Sequence, residues 1–143
     1  MKEEMKTPPE RQVVTTHDGP QHCTAERRPD GNTIPMDCPY TGKGEEFSPT
    51  NLVEAAIGGC MLISMGTLAI RSDLDISGAQ ITVTASMTDK PRMRLGRFDI
   101  TVSMPAGLSE RDRKKLEAAA DHCPIKHSFA EDVPVAITYN YPD

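Results

Sequence analysis

The sequence predicts an α+β domain, and three observations carry that prediction. A strand-rich first third, with turn signals at Asp18-Gly19-Pro20 and Asp30-Gly31, leads into a long apolar helix opened by Ser48-Pro49. Two runs of strict apolar–polar alternation follow, and an amphipathic helix separates them from a last alternating run near the C-terminus. Strands gathered in groups and interrupted by helices, without regular strand–helix alternation, define the α+β class. The chain has 143 residues, which suits one compact domain, assigned to 11–143. The charged, proline-broken residues 1–10 are expected to form a flexible lead-in.

Composition narrows the function. With 37% apolar residues and a net charge of −5, the chain has enough core-forming residues to fold. Aromatics amount to 4% with no Trp, so base-stacking platforms are poorly supplied, and the basic clusters Lys90–Arg97 and Arg111–Lys115 sit in no nucleic-acid motif. Nucleic acid is therefore not an expected partner. The start MKEEMKTPPERQ lacks the apolar region of a secretory signal, which predicts a cytoplasmic protein. The longest charge-free stretch, Ala55–Ile70, has 16 residues and contains Gly58, Gly59, Ser64 and Gly66. That is shorter than the roughly 18–20 apolar residues of a membrane span, so a buried helix is expected and no membrane association.

Taken in order, RQVVTTH and QHCTAERR form the first two strands around Asp18-Gly19-Pro20. Centring the next turn on Asp30-Gly31 sets Ala25 opposite Met36 and Cys23 opposite Cys38, with Cys23, Ala25, Ile34, Met36 and Cys38 on one face. Pro29 and Pro35 place this hairpin at an edge or make it irregular. Thr41–Phe47 reads as a flexible loop. Ser48 is a hydroxyl N-cap before Pro49 at the first helical position, and the helix runs to about Arg71. Being apolar nearly all round, it should be wrapped on most sides, with Ala55, Gly59, Ile63 and Gly66 admitting a close helix crossing.

Ile81, Val83, Ala85 and Met87 then alternate with Thr82, Thr84, Ser86 and Thr88, and Phe98, Ile100, Val102 and Met104 repeat the pattern beyond a basic loop at Asp89–Gly96. Ser109 caps a second helix carrying Glu110 and Asp112 in its first turn and reaching His122 or Cys123. Pro124 ends it, and Val133, Val135, Ile137, Tyr139 and Tyr141 line a final strand.

Four cysteines are too few for a disulfide-stapled scaffold, so each is weighed separately. Cys23 and Cys38 fit core-side strand positions. A zinc site joining them to Cys123 and His127 lacks the two closely spaced ligand pairs such a site normally shows, so no metal is expected. Cys60 lies within the apolar helix, and Cys123 stands before a proline at the end of the other helix. Two cysteines on packed helices supply a redox dithiol. Cys60 is about 18 Å into its helix, beyond the reach of the helix dipole, so its ionisation needs a cationic or hydrogen-bonding neighbour. The candidate donors are His17, Arg27, Arg28, Arg11 and the partner chain of a dimer.

The segments FSPTNLVEAAIGGCMLISMG, SGAQITVTASM, LSERDRKKLEAAADHCPIKHSF and VPVAITYNY together resemble the OsmC/Ohr family, the osmotically inducible and organic-hydroperoxide-resistance proteins. The resemblance covers roughly residues 11–141. It implies an OsmC-like fold, with antiparallel sheets wrapped around a long buried central helix, in an intertwined homodimer with active sites at the dimer interface. It also implies a thiol-dependent peroxidase without cofactors, with Cys60 the peroxidatic and Cys123 the resolving thiol. Cys60 would reduce an organic hydroperoxide and become a sulfenic acid, Cys123 would close a disulfide, and a dithiol reductant, a lipoyl protein or a thioredoxin-like one, would restore the pair. In the family's peroxidases a glutamate ten residues before the peroxidatic cysteine holds an arginine against it. Here that position is Thr50, followed by Asn51. His17 is the nearest stand-in for the arginine, with Arg27 and Arg28 as alternatives. These departures motivate a second expectation, a catalytically quiet member that binds a small apolar or thiol-bearing ligand at the dimer cleft.

Overall fold

The protein is described here by a computed structural model covering residues 12–142. Arg11 and the expected lead-in 1–10 lie outside the described residues. The chain divides into two compact units, one up to Leu52 and one from Val53 onward.

In the first unit β1 (Gln12–Gly19) folds back as β2 (His22–Arg28), and β3 (Thr33–Asp37) adds antiparallel to β2, giving the order β1-β2-β3. The first turn signal acts as expected, closing through Pro20 and Gln21 with a register irregularity between His17 and Gly19. The second hairpin differs from expectation by two residues. Cys23 faces Met36 and Ala25 faces Ile34. The cause is local: Arg27 N–H donates to Asn32 O (2.8 Å) and Gly31 N–H to Arg27 O (2.7 Å), so the turn closes one residue earlier than the Asp30-Gly31 centre. Gly31 takes the positive φ of 78° that this turn requires. Because the slip is even, the predicted face survives, but Cys38 no longer opposes Cys23. Pro35 sits on the edge strand β3, where a missing N–H is tolerated.

The segment after β3 is tied down rather than a free loop. The buried Asp37 carboxylate accepts the amides of Glu45 (3.0 Å) and Glu46 (3.3 Å), and Met36 bridges Phe47. An unbonded buried carboxylate would be costly, and these two amides satisfy it.

Helix α1 (Pro49–Arg71) has the predicted bounds. Its start is a reciprocal cap: Asn51 N–H donates to Ser48 Oγ (3.1 Å), and Ser48 N–H donates to Asn51 Oδ1 (3.0 Å). The helix is long and apolar enough by length and composition to cross a membrane. One face nevertheless packs into the core of the second unit through Ile57, Met61, Met65 and Ala69. On the opposite face, among the described residues, Ile63 is 73% and Ile70 85% exposed, and a Cβ on Gly59 or Gly66 would meet nothing within 4 Å.

The second unit completes its core with β4 (Gln80–Thr88), β5 (Arg94–Ser103), α2 (Glu110–Asp121) and β6 (Val135–Asn140). Its sheet has the order β4-β5-β6, with β4 antiparallel to β5 and β6 parallel to it, so this sheet is mixed rather than purely antiparallel. A parallel neighbour needs a crossover, and α2 lies on it. Phe98, Ile100 and Val102 of the central strand are buried with Leu116 and Ala120 of α2, and Phe98 stacks on Phe129 at 4.6 Å between ring centroids.

Alternation along β4 holds through Ser86 and then breaks. The register shifts between Ser86 and Met87, so Met87 turns outward, 56% exposed, instead of following Ala85 inward. Gly96 is the extra residue opposite this step, where a Cβ would stand 2.4 Å from Thr88 Cγ2. Pairing also reaches Thr88 and Arg94, so the connecting loop is shorter than the expected Asp89–Gly96. Ser109 caps α2 as predicted, accepting the Asp112 amide at 3.1 Å.

Candidate functional site

Two cysteines far apart in sequence meet in the second unit. Cys60 follows the buried stripe residue Ile57 by one helical turn, which sets it at the edge of the packed face of α1, half-buried against the core. Cys123 comes immediately after His122, the C-cap of α2, and is fully buried. The two thiols are close enough for Cys60 to act on the ionisation of Cys123. Both are free thiols.

Proline shapes the surroundings of Cys123. Pro124 has no N–H with which to continue the helix, and the chain tightens into a short 3-10 turn at Lys126–Ser128. Within it Lys126 N–H donates to Cys123 Sγ at 3.4 Å, and His127 N–H donates to Cys123 O at 3.4 Å. Ser128 Oγ donates to Pro124 O (2.8 Å), His127 Nε2 lies 2.6 Å from Asp121 O, and Lys126 pairs with the Asp121 carboxylate. The turn is thus fastened to the end of α2 on several sides. Burial pushes the Cys123 thiol above its ordinary value, the neighbouring Cys60 adds to that, and the amides of Lys126 and Ile125 oppose it. Cys123 therefore rests as a neutral thiol at neutral pH.

Glu54, six residues before Cys60, accepts the Ala85 amide on Oε2 at 3.1 Å and ties α1 to β4, a contact no sequence signal announced. Sequence reasoning missed the capping role of Asn51, although Ser-x-x-Asn is close to the capping-box signature that would have revealed it.

The proposed activating residues all belong to the first unit. His17 pairs with Cys23 across β1 and β2 and lines a cavity with it. Arg27 is engaged by Asp30, through Nε to Oδ1 at 2.9 Å and a second contact, and Arg28 Nε reaches Glu26 Oε1 at 3.2 Å. Cys123 and His127 do not form half of a metal site, since Cys123 Sγ faces Cys60 while the His127 ring faces Asp121 O. Among the described residues no group of three or more His, Cys, Asp or Glu is placed to hold a metal ion.

No curated protein matches the sequence significantly. Among solved structures, a protein of Psychrobacter arcticus 273-4, described as osmotic stress induced and of the detoxification response, is similar at 28% identity and a TM-score of 0.82, over 90% of this chain and 94% of that one. An OsmC-like protein of Mycoplasma pneumoniae (15% identity, TM-score 0.78, 97% and 100% covered) shares the fold. So does an organic hydroperoxide resistance protein of Elizabethkingia anophelis (15% identity, TM-score 0.73, 96% and 100% covered). The family described as OsmC-like protein matches residues 42–138, a span that holds both Cys60 and Cys123. The chain belongs to the OsmC-like protein family.

Proposed function

We propose that the protein is a thiol-dependent peroxidase that reduces organic hydroperoxides. The observation that carries this reading is the nearness of Cys60 to Cys123, close enough that Cys60 helps to hold the Cys123 thiol above its ordinary value. The Cys60 thiolate attacks one peroxide oxygen, the O–O bond breaks, and the alcohol leaves after taking a proton, with Cys60 left as the sulfenic acid. Cys123 then attacks the Cys60 sulfur, water leaves, and a disulfide forms. A dithiol reductant, lipoyl or thioredoxin-like, restores both thiols by exchange, as a reducing cytoplasm supplies. His17, Arg27 and Arg28 are the proposed sources of thiolate stabilisation. The Met- and Leu-rich neighbourhood of Cys60 favours an organic over an inorganic peroxide.

The working unit in this proposal is a homodimer. The uncovered face of α1, with Ile63 and Ile70 exposed and Gly59 and Gly66 open, supplies an apolar surface that a second copy would bury. Thr50, a hydroxyl where the family's peroxidases carry a carboxylate, favours the second reading, a quiet member that binds a small apolar or thiol-bearing ligand. Cumene hydroperoxide separates the two. The peroxidase consumes it and shows a Cys60–Cys123 disulfide by peptide mapping, and Cys60→Ser abolishes both. Absence of consumption and of that disulfide in the wild-type protein would overturn the peroxidase reading.

A further inference from the structure

Two Cys-Pro turns occur in the chain, and they are built alike. Each closes with an amide four residues on donating to the cysteine carbonyl: Gly42 to Cys38 at 2.8 Å and His127 to Cys123 at 3.4 Å. In the second, the Lys126 amide also donates to the cysteine sulfur at 3.4 Å, and in the first the backbone of Thr41, Tyr40 and Gly42 helps to lower the pKa of the cysteine. They differ in what surrounds the sulfur. Cys123 is fully buried beside another thiol, whereas Cys38 is only half-buried and has a hydroxyl donor.

That hydroxyl is Thr41, and its direction is set by a neighbour. Gln21 Nε2 donates to Thr41 Oγ1 at 2.5 Å, which leaves the Thr41 hydrogen to donate to Cys38 Sγ. Gln21 also accepts the Cys38 amide at 3.2 Å, so one residue of the β1–β2 turn holds both ends of the cysteine turn. Gly42 packs so closely that a Cβ there would stand 2.7 Å from Cys38 O. The Thr41 hydroxyl, with the amides of Thr41, Tyr40 and Gly42 behind it, holds the pKa of Cys38 below its ordinary value.

A second thiol shares the site. Cys38 and Cys23 line one cavity of about 170 Å³ with His17, Gln21 and Met36. The volume is several times the roughly 30 Å³ that a water occupies in the liquid, room for the few heavy atoms of an aminothiol arm. The observed register decides how the two thiols relate. Cys23 faces Met36, and the ladder continues to the Cys38–Gln21 hydrogen bond, so Cys38 is the diagonal neighbour of Cys23. Diagonal neighbours stand about 7–8 Å apart. Cysteines with Cα atoms beyond about 7 Å cannot be bridged without backbone movement.

We propose that Cys38 is an S-thiolation site: its thiolate attacks the disulfide of a small thiol and keeps the mixed disulfide, because Cys23 stands out of reach to resolve it. The step is an exchange. Cys38 sulfur forms a new S–S bond, the S–S bond of the small disulfide breaks, and one small thiolate leaves and takes a proton from water. No other oxidant is needed. The step uses neither Cys60 nor Cys123.

The test exposes the full-length protein to oxidised glutathione as the probe disulfide and maps adducts by peptide mass spectrometry between pH 6 and 10. The titratable groups facing the cavity are His17, Cys23 and Asp37, and His22, Lys43, Glu45 and Glu46 line an adjoining one with Thr41. The pH profile is therefore compared between variants rather than read alone. Cys38 should be modified first, and Cys38→Ser should lose that adduct. Thr41→Val should slow modification about threefold at pH 7, with the difference closing at high pH, and Thr41→Ser should restore it. First modification at Cys23 or Cys60, an internal Cys23–Cys38 disulfide in place of the adduct, or an unchanged profile in Thr41→Val would each overturn the proposal.

Discussion

Cys60 of α1 lies close enough to Cys123, at the end of α2, to act on its ionisation, and burial raises the Cys123 thiol above its ordinary value. Burial is the larger cause, and the neighbouring Cys60 adds to it. In the proposed peroxidase the half-buried Cys60 is the thiol that meets the peroxide, and the buried Cys123 is its neutral partner.

That inequality predicts a pH dependence for disulfide closure. Burial holds Cys123 above its ordinary value of 9.0, so the attacking thiolate is scarce at pH 7. After a pulse of cumene hydroperoxide, closure measured by stopped flow should quicken with each pH unit through and beyond pH 9. Cys123→Ser should accumulate a dimedone-reactive sulfenic acid on Cys60. Closure that is flat from pH 7 to 10 would show that Cys123 is not the attacking group.

The reciprocal cap of α1 gives a stability prediction. Ser48→Ala removes the acceptor for the Asn51 amide and should lower stability by about 1 kcal/mol, read from urea unfolding. Asn51→Glu places the usual capping-box acid at the same position and should retain most of the stability, whereas Asn51→Ala should not.

Gly96 predicts a sharper loss. An added methyl would stand 2.4 Å from Thr88 Cγ2 and 2.7 Å from Thr88 Cβ, so Gly96→Ala forces the β4–β5 bulge to shift. Overpacking of this kind costs about 1–3 kcal/mol. Thermal unfolding should show it, and Thr88→Gly should recover part of the loss in the double variant.

At the β1–β2 turn, His22 Nδ1 lies 2.5 Å from Asp18 Oδ1, and Thr24 Oγ1 donates to the other Asp18 oxygen at 2.5 Å. The hydrogen bond to Asp18 raises His22 above its ordinary 6.5, while Thr24 and His22 hold Asp18 below its ordinary 3.8. A raised histidine stabilises the fold fully below its unfolded value and loses that contribution as pH rises through the folded value. The lowered aspartate behaves oppositely, contributing above 3.8 and losing its contribution as pH falls. The difference in melting temperature between wild type and His22→Gln should therefore be largest near pH 5.5 and shrink as pH rises past 6.5. A difference that grows toward pH 8 would contradict the pair.

The proposed homodimer predicts that Ile63→Glu leaves a folded monomer, because Ile63 is 73% exposed within one chain and makes little of its core. Sedimentation velocity of the wild type and the variant checks this. A wild-type monomer would remove the dimer from the proposal.

Elements set by local chemistry were legible in the sequence. Ser48-Pro49 and Ser109 announce their helices, and α1 has the bounds read from the sequence. The second hairpin was legible in its faces and not in its register, because Asp30-Gly31 marks a turn without fixing which amide closes it. The outward turn of Met87 was hidden because it depends on a bulge made in the partner strand at Gly96. β6 read correctly as a strand, but its parallel pairing with β5 depends on where the crossover lands, which periodicity does not encode. The adjacency of Cys60 and Cys123 is likewise tertiary. Their places on two helices suggested a dithiol, and the resemblance of the two cysteine segments to a known family gave the pair its roles.

The parallel pairing of β6 with β5 also sets an order of events during synthesis. Cys60 leaves the ribosome with α1 well before the crossover and β6 exist, and long-range parallel pairings are slow to form. Until α2 and the turn after it are made, Cys60 stands on an apolar helix without Cys123 to meet it. The pair proposed for two-thiol chemistry therefore exists only once the chain has passed Cys123, and the parallel strand that completes the sheet follows it.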